Sequence, residues 1–317
     1  GIFAALLIFT LGLGMTVLHA QADKPNAEAD AEPTARQRRA AQRKKNQNQQ
    51  RRQDAKNTTT GKPAPPRDPE YQKYGIYAKT APRAASVEPI ATRLPLEIKK
   101  GARIALIGNT LADRAQLFGH FETLLHQRYP DHQLVVRNLA WSADEVDLQP
   151  RPANFADVEQ HLTHEKIDVV IAAYGFNESF AGDPGANAFR KRLTDFVTGL
   201  KSKSYNGETA PQVVLLSPIA NENIEGVPAA DLNNARIKTY ADIIQEVAAE
   251  QEVGFANVYD ATLEAAASAG EDITINGVHL NEAGYDVFAK TLYEQLFQAK
   301  PPQVDERIRQ TIIDKNR

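Results

Sequence analysis

The sequence predicts an open α/β sandwich, a parallel sheet covered by helices on both faces, and three observations carry that prediction. Five apolar runs of strand length occur at 103–108 (RIALIG), 133–139 (QLVVRNL), 167–175 (IDVVIAAYG), 212–218 (QVVLLSP) and 254–260 (GFANVYD). Stretches of helical period separate or flank them, at 114–129, 184–203 and 233–252. Polar residues gather just after each run. Val, Ile and Leu in near-continuous runs mark strands buried on both faces, and their alternation with helices marks a parallel sheet.

The remaining segments follow in chain order. Residues 1–22 (GIFAALLIFTLGLGMTVLHAQA) form an apolar run ending in Ala20, Gln21 and Ala22, the small-residue pattern at which a signal peptidase cuts. A cleaved signal or a retained membrane anchor is expected there, and the protein is expected to be exported. Residues 23–68 hold few large apolar side chains and cannot offset chain entropy, so they read as a disordered stalk. Between Arg36 and Lys56 this stalk has a net charge of +8 in a chain of −3, so the other residues together carry −11. Such a run suits contact with an anionic surface. Nucleic acid is set aside because the run has no aromatic residue to stack on bases.

Residues 69–100 read as a lead-in lying on the surface of the domain at 101–298. Residues 299–317 begin with Pro-Pro and then place Val304, Ile308, Ile312 and Ile313 at helical spacing. The missing start methionine and the abrupt stop at Arg317 suggest a fragment of a longer protein, with a further fused domain beyond Arg317.

The chain has no cysteine, which removes thiol nucleophiles, disulfides and Cys-ligated metals together. No cofactor or metal is expected. GNTLADR (108–114) lacks the ending of a phosphate loop, and no dinucleotide fingerprint appears. His161 and His164 with Asp157 share one predicted helix, 154–166, but no further ligand set accompanies them, so they read as a solvated face.

In a sandwich of this kind ligands sit at the carboxyl ends of the strands. The residues there are Gly108-Asn109-Thr110, then Ser142-Ala143-Asp144, then Gly175, Asn177 and Glu178, then Ser217, Asn221 and Glu222, and last Asn276 and His279. In order and spacing these blocks, GNT, SAD, GFNE and NGVH, resemble those of the SGNH (GDSL-type) hydrolases. The resemblance runs from about Gly101 to Gln298. It implies a flavodoxin-like three-layer αβα sandwich with strand order 2-1-3-4-5, and hydrolysis of an ester through an acyl-enzyme.

Carried over residue by residue, the resemblance puts Thr110 at the family's nucleophilic serine and His279 at its general base. Asn276 falls on the aspartate that orients the histidine. The oxyanion hole would comprise the N–H groups of Thr110 and Ala143 and the amide of Asn177. Asn109, Glu178, Ser217, Asn221 and Glu222 become candidate pocket residues.

Two roles stand open for Thr110: a nucleophile activated by a base, or an N-cap worth about 1 kcal/mol to the helix it opens. Ala143 in place of the family's glycine is expected to matter little unless its φ is positive. Asn276 offers a carbonyl without charge. Three consequences follow: a Thr-His dyad of modest rate, a carboxylate borrowed from Asp272, Glu178 or Glu222, or a crevice that binds without catalysing. The expected function is esterase or acylhydrolase on a small-molecule, carbohydrate or lipid ester. The alternatives are a non-catalytic domain binding a sugar or acyl ligand, and a basic tether to an anionic polymer or membrane.

Overall fold

A computed structural model of the chain describes residues 76–268 and 270–317. The expected signal or anchor, stalk and basic run lie outside the described residues. The unit described here belongs to the segment Pro69–Arg317.

Five parallel strands form the sheet: β1 (Arg103–Gly108), β2 (Val135–Asn138), β3 (Val169–Ala173), β4 (Gln212–Leu216) and β5 (Gly254–Ala256). Their order across the sheet is β2-β1-β3-β4-β5. In addition, Ala85–Ser86 pairs antiparallel with Lys203–Ser204 in a separate two-stranded ribbon that the periodicity did not signal.

Alternation along the strands divides the core. Ile104, Leu106, Ile171 and Val214 face one layer, in which Leu124, Leu125, Phe288 and Leu292 are buried. Ala105, Ile107, Val170 and Leu215 face the other, with Phe189, Leu193, Tyr240 and Val247. The first layer is built from α1 (Thr110–Phe118), α2 (His120–Arg128) and α7 (Glu282–Phe297). The second is built from α4 (Gly182–Lys201) and α5 (Ala230–Glu250). Two shorter helices, α3 (Val158–His164) and α6 (Tyr259–Ser268), lie between strands or after them.

Four details differ from the expected layout, each for a local reason. The helical stretch 114–129 is two helices, because Gly119 takes φ 68° and ends α1. The gap admits Ile312 of α8 (Glu306–Asn316), which would lie 3.3 Å from a Cβ at Gly119. The fifth strand stops at Ala256 because Asn257 turns its N–H and carbonyl to the Gln295 amide, and the N–H groups of Val258 and Tyr259 turn to the Ser217 hydroxyl. The helix expected over 154–166 starts only at Val158, where Asp157 and Gln160 form a capping box. Finally, the lead-in does more than cover the surface: Leu96 and Ile98 are buried in the first core layer, and the buried Thr92 hydroxyl accepts the N–H of Val213 at 2.8 Å.

Candidate active site

The first loop starts at the end of β1, where Gly108 pairs with Ala173 of β3. Gly108 has φ 122°, and a Cβ there would lie 2.0 Å from the carbonyl oxygen of Ala173, so only glycine fits. Asn109 follows, buried, with its N–H on the same carbonyl at 3.0 Å. Its side-chain Oδ1 accepts the N–H of Leu111 at 3.1 Å and thereby caps α1. The capping role considered for Thr110 therefore belongs to Asn109. Thr110 becomes the first helical residue, with its hydroxyl free of the cap. That hydroxyl accepts a 3.1 Å hydrogen bond from the backbone N–H of Ala143.

Ala143 is held in place from two sides. The N–H of Trp141 bonds the carbonyl of Gly108 at 3.0 Å, fixing the loop to the end of β1. Buried Asp144 takes both arms of Arg151 at 2.7 and 2.6 Å, and that guanidinium stacks 4.5 Å from the Trp141 ring. The clamp forces Ala143 to φ 67°. This is the left-handed region, where a Cβ costs about 1 kcal/mol. The replacement of glycine is thus not neutral, contrary to the simpler expectation.

After β3, Asn177 and Glu178 have opposite tasks. The buried Glu178 carboxylate accepts the N–H groups of Val146 at 3.0 Å and Gly175 at 2.8 Å, tying the second loop to the third. Burial pushes its carboxyl up, while these backbone donors pull it back. It does not line the crevice. Asn177 does, and among the described residues its side-chain amide has no hydrogen-bond partner.

His279 sits on a loop pinned from behind. Glu222, buried, accepts the N–H of Ile273 at 3.0 Å, the N–H of Thr274 at 2.8 Å and the Thr274 hydroxyl at 2.5 Å. Asn221 donates to the carbonyl of Gly277 at 2.9 Å. These two side chains, expected in the pocket, instead set the shape of the histidine loop. Ser217 does line the cavity, yet its hydroxyl is spent on the N–H groups of Val258 and Tyr259.

The Asn276 oxygen accepts three bonds, from the backbone N–H groups of Val278 at 3.3 Å and His279 at 3.0 Å and from His279 Nδ1 at 3.0 Å. The two backbone donors fix the orientation of the amide, so Nδ1 must carry the proton and Nε2 the lone pair. That is the tautomer a general base needs. No carboxylate bonds the ring among the described residues: Glu178 and Glu222 are engaged elsewhere, and Asp272 contributes only its backbone carbonyl, to Asn281. Burial and then the Arg114 charge hold the imidazole below the usual histidine range.

Thr110, Ala143, Asn177 and His279 line one cavity of about 290 Å³, walled also by Asn109, Ser217 and apolar groups including Phe176, Phe180 and Ile219. A second, open groove of about 520 Å³ begins at Thr110 and His279 and runs past Asp113, Arg114 and Ser142. The N–H of Thr110 has no acceptor among the described residues. Three donors and one hydroxyl thus converge beside a histidine, the arrangement that acyl transfer through an oxyanion requires. Arg114 escaped the sequence reading although its spacing, four residues after Thr110 on one helix, places the two on one face.

The histidine pair on α3 does not join this site. The His161 ring packs 5.3 Å from Phe155, burial lowers its basicity, and Asp157 caps the helix and pairs with Arg83 at 2.7 Å. Among the described residues no cluster of three or more His, Asp or Glu has the geometry to hold a metal.

The sequence model of the GDSL-like lipase/acylhydrolase family matches residues 106–287. No curated protein matches the chain. Among solved structures, a catalytic mutant of Axe2, an acetylxylan esterase from Geobacillus stearothermophilus, superposes with a TM-score of 0.51 at 18% identity, over 63% of this chain and 96% of that one. A second mutant, described as an acetyl-xylooligosaccharide esterase, gives 0.50 at 19% identity over the same shares. At this identity the likeness is one of fold.

Proposed function

The chain belongs to the GDSL-like lipase/acylhydrolase family, enzymes that hydrolyse esters, and from that premise we propose that it removes short acyl groups from a hydroxylated alcohol through an acyl-enzyme on Thr110. The observation that carries this is the division of labour at the first turn. Asn109 caps the helix, and the Thr110 hydroxyl turns to Ala143 N–H in the cavity that also holds His279.

In this reading the Thr110 oxygen attacks the carbonyl carbon and its proton passes to His279 Nε2. The N–H groups of Thr110 and Ala143 and the amide of Asn177 take the oxyanion. Collapse breaks the bond to the alcohol, and the imidazolium returns the proton to it. Water then repeats the sequence on the acyl-enzyme. The apolar cavity suits the acyl chain, and the open groove, where Asp113, Arg114 and Ser142 mix with Leu117 and Ile275, suits the alcohol. Acetylated carbohydrate fits that division, and the acetylxylan esterase activity named for the structural relatives supports it. Export belongs to the same proposal, on the strength of the apolar segment 1–22.

The test is a set of initial rates on 4-nitrophenyl acetate, butyrate and octanoate and on acetylated xylo-oligosaccharide. The reading expects turnover of acetate and butyrate above octanoate, and release of acetate from the oligosaccharide. Octanoate preferred over all others would move the substrate to lipid. A second reading, binding without turnover, draws on the missing carboxylate at Asn276. Saturable binding of the oligosaccharide with no acetate released would favour it.

A further inference from the structure

Arg114 stands one helical turn beyond Thr110 and walls the open groove that starts at the Thr110 and His279 side chains. The acidic side chain next to it is already engaged. Asp113 receives the Ser142 hydroxyl at 2.5 Å on one oxygen and the Gln116 amide at 3.0 Å on the other. Arg114 has no carboxylate partner among the described residues. Its Nη2 reaches the carbonyl of Leu280 only at 3.5 Å, and its guanidinium carbon lies 6.0 Å from the Phe118 ring centre. Its Nε is buried with no hydrogen-bond partner among the described residues.

The Tyr285 hydroxyl, which donates to the Leu111 carbonyl, is the other polar group beside this guanidinium, so its charge is left without an anionic partner and its outer donors stay open to a ligand in the groove. The residues outside 36–56 carry −11 together, yet the one acidic side chain lining the groove among the described residues, Asp113, is bonded to Ser142 and Gln116 and not to Arg114. We propose that the groove binds the alcohol portion of an ester bearing a carboxylate, such as a uronate or hydroxy acid, and that Arg114 holds that carboxylate by paired hydrogen bonds. The proposal rests on the reading that Thr110 and His279 cleave esters.

A carboxylate suits the groove better than a phosphate ester does. Among the described residues Arg114 is the one cation lining it, with the hydrogen-bonded Asp113 beside it. The planar fork of Arg114 suits a singly charged carboxylate, whereas a phosphate group carries more than one charge for the neighbouring Asp113 to repel. Binding would also neutralise the charge that weakens His279 as a base. The substrate itself then supplies a negative charge near the histidine, where Asn276 has none.

The experiment compares kcat/KM for 4-nitrophenyl acetate and 3-carboxy-4-nitrophenyl acetate on the wild-type chain, Arg114→Gln and Arg114→Lys. Calorimetry with the carboxylated product, 5-hydroxy-2-nitrobenzoate, is run on the same three proteins. The wild type is expected to favour the carboxylated ester, and Arg114→Gln to reduce that preference about tenfold or more, the usual scale of a charge-assisted hydrogen bond. Arg114→Lys is expected to fall between, because an ammonium keeps the charge but loses the fork. A preference unchanged by Arg114→Gln overturns the proposal, as does product binding that is absent or equal in wild type and variant. If neither ester is cleaved but the product binds wild type and not Arg114→Gln, the groove assignment stands and the esterase reading falls.

Discussion

Two loops of the crevice each carry an asparagine where the SGNH pattern has aspartate, and the two substitutions differ in consequence. At the Thr110 turn, Asn109 needs only an oxygen that accepts the N–H of Leu111, and an amide oxygen does this as well as a carboxylate. At the His279 loop, Asn276 does half of its task. Its oxygen fixes the ring and the tautomer, but it brings no charge to stabilise the imidazolium that the proposed acyl transfer would form. The same replacement is harmless where geometry is wanted and limiting where charge is wanted.

Asn276→Asp is the change that should sharpen this contrast most. In a serine protease triad, replacing the aspartate by an amide costs about 10⁴ in kcat, a loss that includes the wrong tautomer. Here the tautomer is already right, so the gain expected in kcat is smaller, about 10²-fold. The same variant should move the acid limb of the kcat/KM profile. As the proposed base His279 works only when neutral, and in the wild type its pKa is held below the usual value, so activity should fall as pH drops through that lowered value. A carboxylate at 276 raises the histidine pKa, and the limb should shift to higher pH. An unchanged profile would mean that His279 is not the titrating base.

The next largest effect should appear in stability rather than rate. Glu222→Ala leaves the N–H groups of Ile273 and Thr274 without their acceptor. A loss of about 3 kcal/mol is expected by urea unfolding, as for buried donors deprived of a charged partner. If stability is unchanged, the His279 loop is held by other contacts. Ala143→Gly should raise stability by about 1 kcal/mol by removing a side chain from φ 67°, read as an increase in the urea midpoint. Asn109→Asp should change kcat by less than about threefold, since aspartate caps a helix as well as asparagine. A large gain in rate there would erase the contrast between the two loops.

Much of this architecture is legible in the sequence. The runs at 103–108 and 212–218 announce strands because both of their faces are buried, and residues just beyond strands announce the crevice. Thr110, Asn177 and His279 all line the cavity that such reasoning marks out. What it does not reveal is where a side chain turns. Glu178, Asn221 and Glu222 follow strands and are polar, but they face back into the protein to satisfy N–H and C=O groups of neighbouring loops. The break at Gly119 is hidden for a different reason, since the helical period continues through it while the packing of α8 is a matter of tertiary contact. Leu96 and Ile98 belong to a segment with no period at all, and their burial follows from where the lead-in passes.

In the proposed reaction the Thr110 hydroxyl, released from capping by Asn109, becomes acylated. The most direct test is peptide mass spectrometry after rapid acid quench of the chain with 4-nitrophenyl acetate, beside Thr110→Ala and His279→Ala. An acetyl group is expected on the peptide containing Thr110 in the wild type and none on that peptide in either variant, with turnover reduced about 10³-fold or more in both. Full turnover by Thr110→Ala, or an acetyl group at another residue that is carried through turnover, would contradict it.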